Sequence, residues 1–417
     1  MPDSTLVPPS LRLPRQLSGA GGIAVAVVVM NIGTYAFTML AARLLGPGDY
    51  GAFAALMALI LVIGVLQLGV QTTAARRIAA APDQVAAVAG AVMRVSWRAG
   101  LALAALMLAL APAVDHVLRL DSVVAAALVA FVVLPMTVMG GQAGILQGER
   151  RWAPLALLFL ANGLPRLLVG GLLVAWQPDT VTAMVGVALG QWAPVVIGAI
   201  ALRPLRVAAA DRRSAGPVLR EAVANSQALL AFFALSNVDV VVARNLLSEH
   251  QAGLYAGGLI LTKAVLFLPQ FVVVLAFPAM STPRERRTAL LRSLTAAGAL
   301  GAAATLGATL LSGLALVFVG GGEYAEIQDR LWLFGLLGTA LALLQVLVYS
   351  VVARQGRRSV LVVWGAVVVL IAGGLTATSV GTLLAVVIGV DVVLVAALLA
   401  LSLLRLHAPR NEPATRA

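Results

Sequence analysis

The chain has no cysteine. That excludes a disulfide framework, a thiolate metal site and a cysteine nucleophile. Charge is scarce as well. Of 417 residues, 11% are Asp, Glu, Lys or Arg, against about 25% in an ordinary soluble domain. So few charges cannot clothe a water-exposed surface, which excludes a soluble enzyme, a soluble nucleic-acid-binding domain and a disordered chain. Lysine is nearly missing: Lys263 is the one lysine among 29 basic residues. With 17 acidic residues the formal charge is +12. In a soluble protein that excess would point to nucleic acid. Here arginines anchoring the cytoplasmic ends of membrane helices account for it. The three histidines, His116, His250 and His407, fall in separate expected loops or tails, so no histidine metal cluster is expected.

What the chain has is apolar sequence. Hydrophobic residues make up 61% and the mean hydropathy is +1.00. A spanning helix needs about 20 mostly apolar residues. Twelve such runs can be read, near 20–45, 52–75, 95–114, 122–146, 153–176, 180–202, 222–246, 254–279, 294–318, 331–353, 359–378 and 381–404. The expected fold class is an all-α integral membrane protein. The first run follows Arg12 and Arg15 but is longer than a signal-peptide core of about 7–15 residues, so it reads as an uncleaved anchor.

The arginines test the topology. With the N-terminus inside, 23 basic residues fall on cytoplasmic segments. Four (Arg43, Arg119, Arg244 and Arg330) fall outside, and Arg166 and Lys263 lie within spans. This split supports twelve spans with both termini cytoplasmic. The expected organisation is an N-terminal tail (1–18), a six-helix lobe (19–203), a cytoplasmic linker (204–221), a second six-helix lobe (222–405) and a C-terminal tail (406–417). All loops are short, which disfavours an extramembrane active site.

The halves echo each other. Ala42-Arg43 and Ala243-Arg244 each end a helix. Each is followed by a turn and then by Gly-x-aromatic, Gly51-Ala52-Phe53 in one half and Gly253-Leu254-Tyr255 in the other. Gln147-Gly148-Glu149-Arg150-Arg151 likewise resembles Gln355-Gly356-Arg357-Arg358. Six spans per half make these parallel repeats, related by an axis along the membrane normal.

The runs LLGPGDYGAF (44–53), GILQGERRW (144–152) and SNVDVVVARNLLSEHQAGLYAGGLILTKAVLFLP (236–269) resemble signatures of the Wzx-type polysaccharide and oligosaccharide-lipid flippases. These belong to the superfamily that also holds the MATE drug exporters and the lipid II flippases. The resemblance covers nearly the whole chain, and twelve spans suit Wzx-type members. It implies a MATE-like transporter in the cell inner (cytoplasmic) membrane that is not an enzyme. Such a protein flips an undecaprenyl-diphosphate-linked oligosaccharide from the cytoplasmic to the outer leaflet, for cell-surface polysaccharide synthesis. Implied partners are that lipid-linked oligosaccharide, membrane lipids, a proton or sodium ion, and polysaccharide synthase or polymerase proteins. No nucleic acid, metal or cofactor is expected. Two other readings are a MATE-type exporter of drugs or metabolites and a membrane-embedded glycosyltransferase or polymerase. For the last, the outer acids Glu323, Glu326 and Asp329 lack a fold to desolvate them and read as a solvated surface.

Ionised side chains inside a bilayer cost about 2.5–3.5 kcal/mol each on insertion scales and need a reason. Arg166, with Asn162 one turn earlier, could grip a diphosphate or be a structural arginine paired with a carboxylate. Lys263, about ten residues into helix eight, has Gln270 on the same face. It could hold a phosphate, pair with an acid, or snorkel outward. Asp239 could couple a proton or sodium gradient or form a permanent pair with Lys263. Asp391 could couple ions or bond a neighbouring helix. Asn31, Tyr35 and Thr38 share one helix face, as do Gln67 and Gln71. These stripes could join helices or contact sugar hydroxyls. Arg43 and Arg244 end outer helices as interfacial anchors or as an outer gate.

Overall fold

The computed structural model describes residues 20–203, 215–267, 286–352 and 357–407. Among them are twelve helical rods and no strand. The first helical stretch, Ala20–Ile63, breaks at Gly46 (φ 70°, ψ 173°), beside Pro47. Glycine tolerates that positive φ, and proline cannot continue the hydrogen-bond ladder. We therefore number α1 as 20–45 and α2 as 47–80. The others are α3 (82–118), α4 (Val123–Gly148), α5 (Trp152–Trp176), α6 (Thr180–Leu202), α7 (Ala215–Leu246), α8 (Glu249–Phe267), α9 (286–319), α10 (Leu331–Val352), α11 (Arg357–Gly374) and α12 (Val380–His407). By length and hydropathy nine segments among the described residues are apolar enough to cross a membrane, and one of them, Gly22–Ala80, holds both α1 and α2.

Several helices, among them α2, α3, α7, α8 and α9, run past the apolar spans read from sequence, because hydropathy marks only the part that meets hydrocarbon. α8 starts at Glu249, five residues before its expected edge. The expected linker lies outside the described residues over 204–214, and α7 already begins at Ala215. All three histidines sit in helical turns rather than in loops.

The helices pack by one scheme used twice. α2 and α3 lie on α4, α1 lies on α5, and α4 lies on α6. Six helices later, α8 and α9 lie on α10, α7 lies on α11, and α10 lies on α12. α4 and α10 are the lobe centres: 67% and 72% of their apolar windows are buried, against 28% in α5 and in α9. This is the parallel six-plus-six repeat.

The lobes meet along α2 and α8 and along α2 and α7. At the arginine-poor end the two Gly-x-aromatic motifs touch. A Cβ on Gly51 would lie 3.0 Å from the Gly253 Cα, and one on Gly253 would collide with the Pro47 carbonyl. The echo in the sequence is thus the joint between lobes. Beside it, Tyr324 from the segment Gly322–Arg330 is fully buried and donates to the Ala42 carbonyl at 3.1 Å. At the arginine-rich end, Glu221 of α7 accepts from Arg77 of α2 at 3.0 Å and pairs with Arg76.

Candidate functional site

Between the lobes lies a chamber of about 340 Å³, walled by α1, α2 and α4–α8. Sequence candidates from separate helices meet in its lining: Asn31, Tyr35 and Thr38 of α1, Gln67 of α2, Asn162 and Arg166 of α5, and Lys263 of α8. Thr34, Gln191 and Asn237 join them. Among the described residues no Asp or Glu lines the chamber.

Arg166 is set by its local backbone. It follows Pro165 and opens a π-helical turn, Arg166–Gly170. Such turns recur at functional positions because they displace the side chains that follow. α6 lies directly behind it. A Cβ on Gly190 would stand 2.9 Å from the Arg166 Cα, and one on Gly186 would collide with Gly170. The Gly186-x-x-x-Gly190 spacing therefore lets α6 press against the wide turn. The guanidinium Nη2 donates to Gln191 Oε1 at 3.1 Å, and Gln191 Nε2 donates to Asn162 Oδ1 at 3.1 Å. Arg166 Nε is buried without a partner, as is the Tyr35 hydroxyl.

Lys263 is the fifteenth residue of α8, about 21 Å along the axis from its start. The earlier helix start places it further along the helix than the ten residues expected. That distance exceeds the reach of a snorkelling side chain. Its Nζ donates to Asn237 Oδ1 at 3.1 Å and to the Ser236 carbonyl. Among the described residues no carboxylate lies within 4.0 Å of Arg166 or Lys263; the ion pairs are Arg76–Glu221, Arg77–Glu221, Glu149–Arg151 and His250–Glu326. The chamber thus holds two cations bonded only to neutral groups.

The other candidates lie apart. Gln71 donates to Gln147 at 3.2 Å, joining α2 to α4, and is not in the lining. Asp239 is 2% exposed and faces the interior of the second lobe. It accepts from the Tyr255 hydroxyl at 2.7 Å and from the Val240 N–H at 3.0 Å. Asp391 is 1% exposed and neither of its oxygens has a hydrogen-bond partner. Lys263 is near enough to both acids to interact electrostatically. Arg43 is exposed. Arg244 is buried and holds the last carbonyls of α3, donating to Leu118 O at 3.0 Å and to Arg119 O. These are the free acceptors of a helix C-terminus, where a cation is favoured. Gln270 and Pro269 lie outside the described residues.

Sequence reasoning missed Gln191 and Asn237. Both are amides inside apolar runs, the same signal that marked Gln67 and Asn162.

No curated protein matches this chain in sequence. Solved structures match it in fold. An inward-facing multidrug-resistance MATE family transporter of the MOP superfamily aligns at TM-score 0.74 and 16% identity, over 92% of this chain and 98% of that one. The eukaryotic MATE transporter AtDTX14 aligns at 0.66 and 14%, over 94% and 95%. A MOP superfamily transporter from Pyrococcus furiosus, described as having a binding pocket of reverse polarity, aligns at 0.61 and 17%, over 95% and 98%. A family model described as polysaccharide biosynthesis protein matches residues 17–283. The chain is a multi-pass membrane protein with the MATE fold, and it belongs to the polysaccharide biosynthesis protein family.

Proposed function

We propose that the chain is a transporter that flips an undecaprenyl-diphosphate-linked oligosaccharide from the cytoplasmic to the outer leaflet of the inner membrane by alternating access. One observation carries this reading: a chamber between the lobes with two cations, Arg166 and Lys263, and no carboxylate in its lining among the described residues. Two cations without a direct ion pair favour an anionic guest, because the guest's charge offsets a desolvation cost that the two acids behind Lys263 meet only at a distance. The guanidinium offers paired N–H groups to phosphate oxygens, and the ammonium acts as a point charge. Asn31, Tyr35, Thr38 and Gln67 supply hydrogen-bonding groups for sugar hydroxyls. A cationic drug would meet repulsion in the same space, which counts against the drug-exporter reading.

In this reading a cation drives the cycle by binding one state of the protein better than the other. Asp239 and Asp391 are its carboxylates. They lie behind Lys263 in the second lobe, so an ion bound there changes the field at the chamber wall. Arg43 and Arg244 belong to the outer face, where Arg244 ties the lobes.

The test is reconstitution into liposomes with a fluorescent lipid-linked oligosaccharide, reading its arrival in the opposite leaflet. The expected result is flipping by the wild type and at least a tenfold loss in Arg166→Gln and in Lys263→Gln. Efflux of a cationic dye without movement of the lipid-linked sugar would sink the proposal.

A further inference from the structure

A second open cavity, about 370 Å³, lies where α2 and α3 of the first lobe face α7 of the second. Its wall includes Leu59, Val62, Ala113, Val117, Val238 and Val241, and Asn237 is the one polar residue in the lining among the described residues. Leu118 of the wall ends α3 and Val241 lies near the end of α7, so the groove occupies the arginine-poor half of the α2/α7 seam. In the other half that seam is closed. Gly69 leaves no room for a Cβ beside Ser226, whose hydroxyl donates to the Val65 carbonyl at 3.4 Å, and Glu221 holds Arg76 and Arg77. The two helices are thus pinned at one end and parted at the other.

The groove adjoins the charged chamber. Ala58 and Asn237 line both. Asn237 is also the side chain whose Oδ1 accepts from Lys263 at 3.1 Å. Ala58 and Asn237 therefore form the wall between a cationic compartment and an apolar one.

We infer that this α2/α3/α7 groove seats the hydrocarbon chain of the same lipid whose anionic head occupies the chamber. The inference rests on the anion reading above and adds the route of the tail. The occupant follows from the contiguity of the two linings: a molecule that is anionic at one end and apolar at the other satisfies both, and a soluble anion satisfies one. A chain lying here passes between the lobes toward the arginine-poor end while its head stays in the chamber. The conformation in which the joint and Tyr324 close the arginine-poor end still leaves this side route open.

The experiment compares inorganic pyrophosphate, the head alone, with farnesyl diphosphate, the same head on an isoprenoid tail. The full chain in detergent is used. Wild type is expected to bind farnesyl diphosphate about tenfold or more tighter than pyrophosphate, the gain coming from buried apolar area. Ala113→Trp fills the groove and is expected to abolish that gain while leaving pyrophosphate affinity unchanged. A second measurement uses wild type only, so that no variant needs to fold. A farnesyl diphosphate analogue with a photoreactive group in its tail is expected to label segments 58–62, 110–118 and 234–241, in competition with excess unlabelled lipid. Equal affinity for the two probes, a full tail gain in Ala113→Trp, or competed labelling confined to other helices would each overturn the inference and leave the anion reading standing. A wild type that binds neither probe would overturn both.

Discussion

Arg166 and Lys263 are costly residues, neither in a direct ion pair among the described residues, and their neighbours decide how each can be tested. Gln191 holds the Arg166 guanidinium through a neutral acceptor. Gln191→Glu would place a carboxylate there, pair with Arg166 and cancel its charge toward a guest. We expect pyrophosphate binding to fall at least about tenfold, the effect of losing roughly 1.4 kcal/mol, with thermal stability unchanged or raised. Retained binding would mean that Arg166 does not face the guest. Lys263→Arg is a separate case. The Asn237 and Ser236 acceptors suit a compact ammonium, and a planar fork does not reproduce those bonds, so we expect partial function below wild type and above Lys263→Gln.

The two buried acids call for different readouts. Asp391 has no hydrogen-bond partner, so it makes no bond whose loss would destabilise the fold. Asp391→Asn is therefore expected to keep or raise the midpoint of thermal unfolding. If Asp391 couples an ion, the same variant loses the ion dependence of flipping. A lowered midpoint with normal ion dependence would make it structural. Tyr255 donates to Asp239 at 2.7 Å, so Tyr255→Phe is expected to alter ion dependence in the same direction as Asp239→Asn, by a smaller factor.

At the scale of elements, the wide turn of α5 and the glycine face of α6 act as one unit. Gly190→Leu drives a side chain into the Arg166 backbone, where a single Cβ would already be at 2.9 Å. Overpacking of this kind costs about 1–3 kcal/mol. The expected outcome is a lower unfolding midpoint together with weaker pyrophosphate binding, whereas substitution at the open Gly389 of α12 should change neither. The sequence made the spans and their polar faces readable. Twenty apolar residues announce a helix, and Asn31, Tyr35 and Thr38 fall on one face by spacing alone. The wide turn after Pro165 was not readable, since proline marks a disturbance without saying what form it takes. The position of Lys263 along its helix was undercounted for a related reason. Hydropathy cannot see the polar first turn of α8, so counting began five residues late. Gln71 and Gln67 share a stripe yet part ways, because a polar stripe says that a face is buried and leaves open whether it meets a cavity or another helix.

At the scale of the molecule, the repeat was legible in paired motifs, and the packing scheme repeats with the same offset of six helices. What the sequence left open was which contacts cross between lobes, since nothing local distinguishes Gly51 packing within its own lobe from Gly51 packing on Gly253. The closed arginine-poor end makes a prediction of its own. Gly48 and Glu249 face each other across the lobes, with a Cβ on Gly48 lying 3.1 Å from Glu249 Oε1. Because the chain has no cysteine, the double variant Gly48→Cys/Glu249→Cys can be bridged selectively by a short bis-methanethiosulfonate linker, which attaches through reducible disulfides. Bridging should stop flipping, and reduction should restore it. Continued flipping by the bridged protein would show that this end need not part.

Two bare glycine backbones, Gly51 and Gly253, meet at the centre of that closed end, and bare backbones interlock with nothing. Parting them turns no rotamer and breaks no polar tie. Resistance to separation must then come from the flanks, where the Tyr324 hydroxyl and the Arg244 guanidinium each clasp a carbonyl of the opposite lobe. The centre behaves as a plain bearing and the flanks as catches, so the speed of the cycle can be tuned one catch at a time without disturbing the surface on which the halves turn.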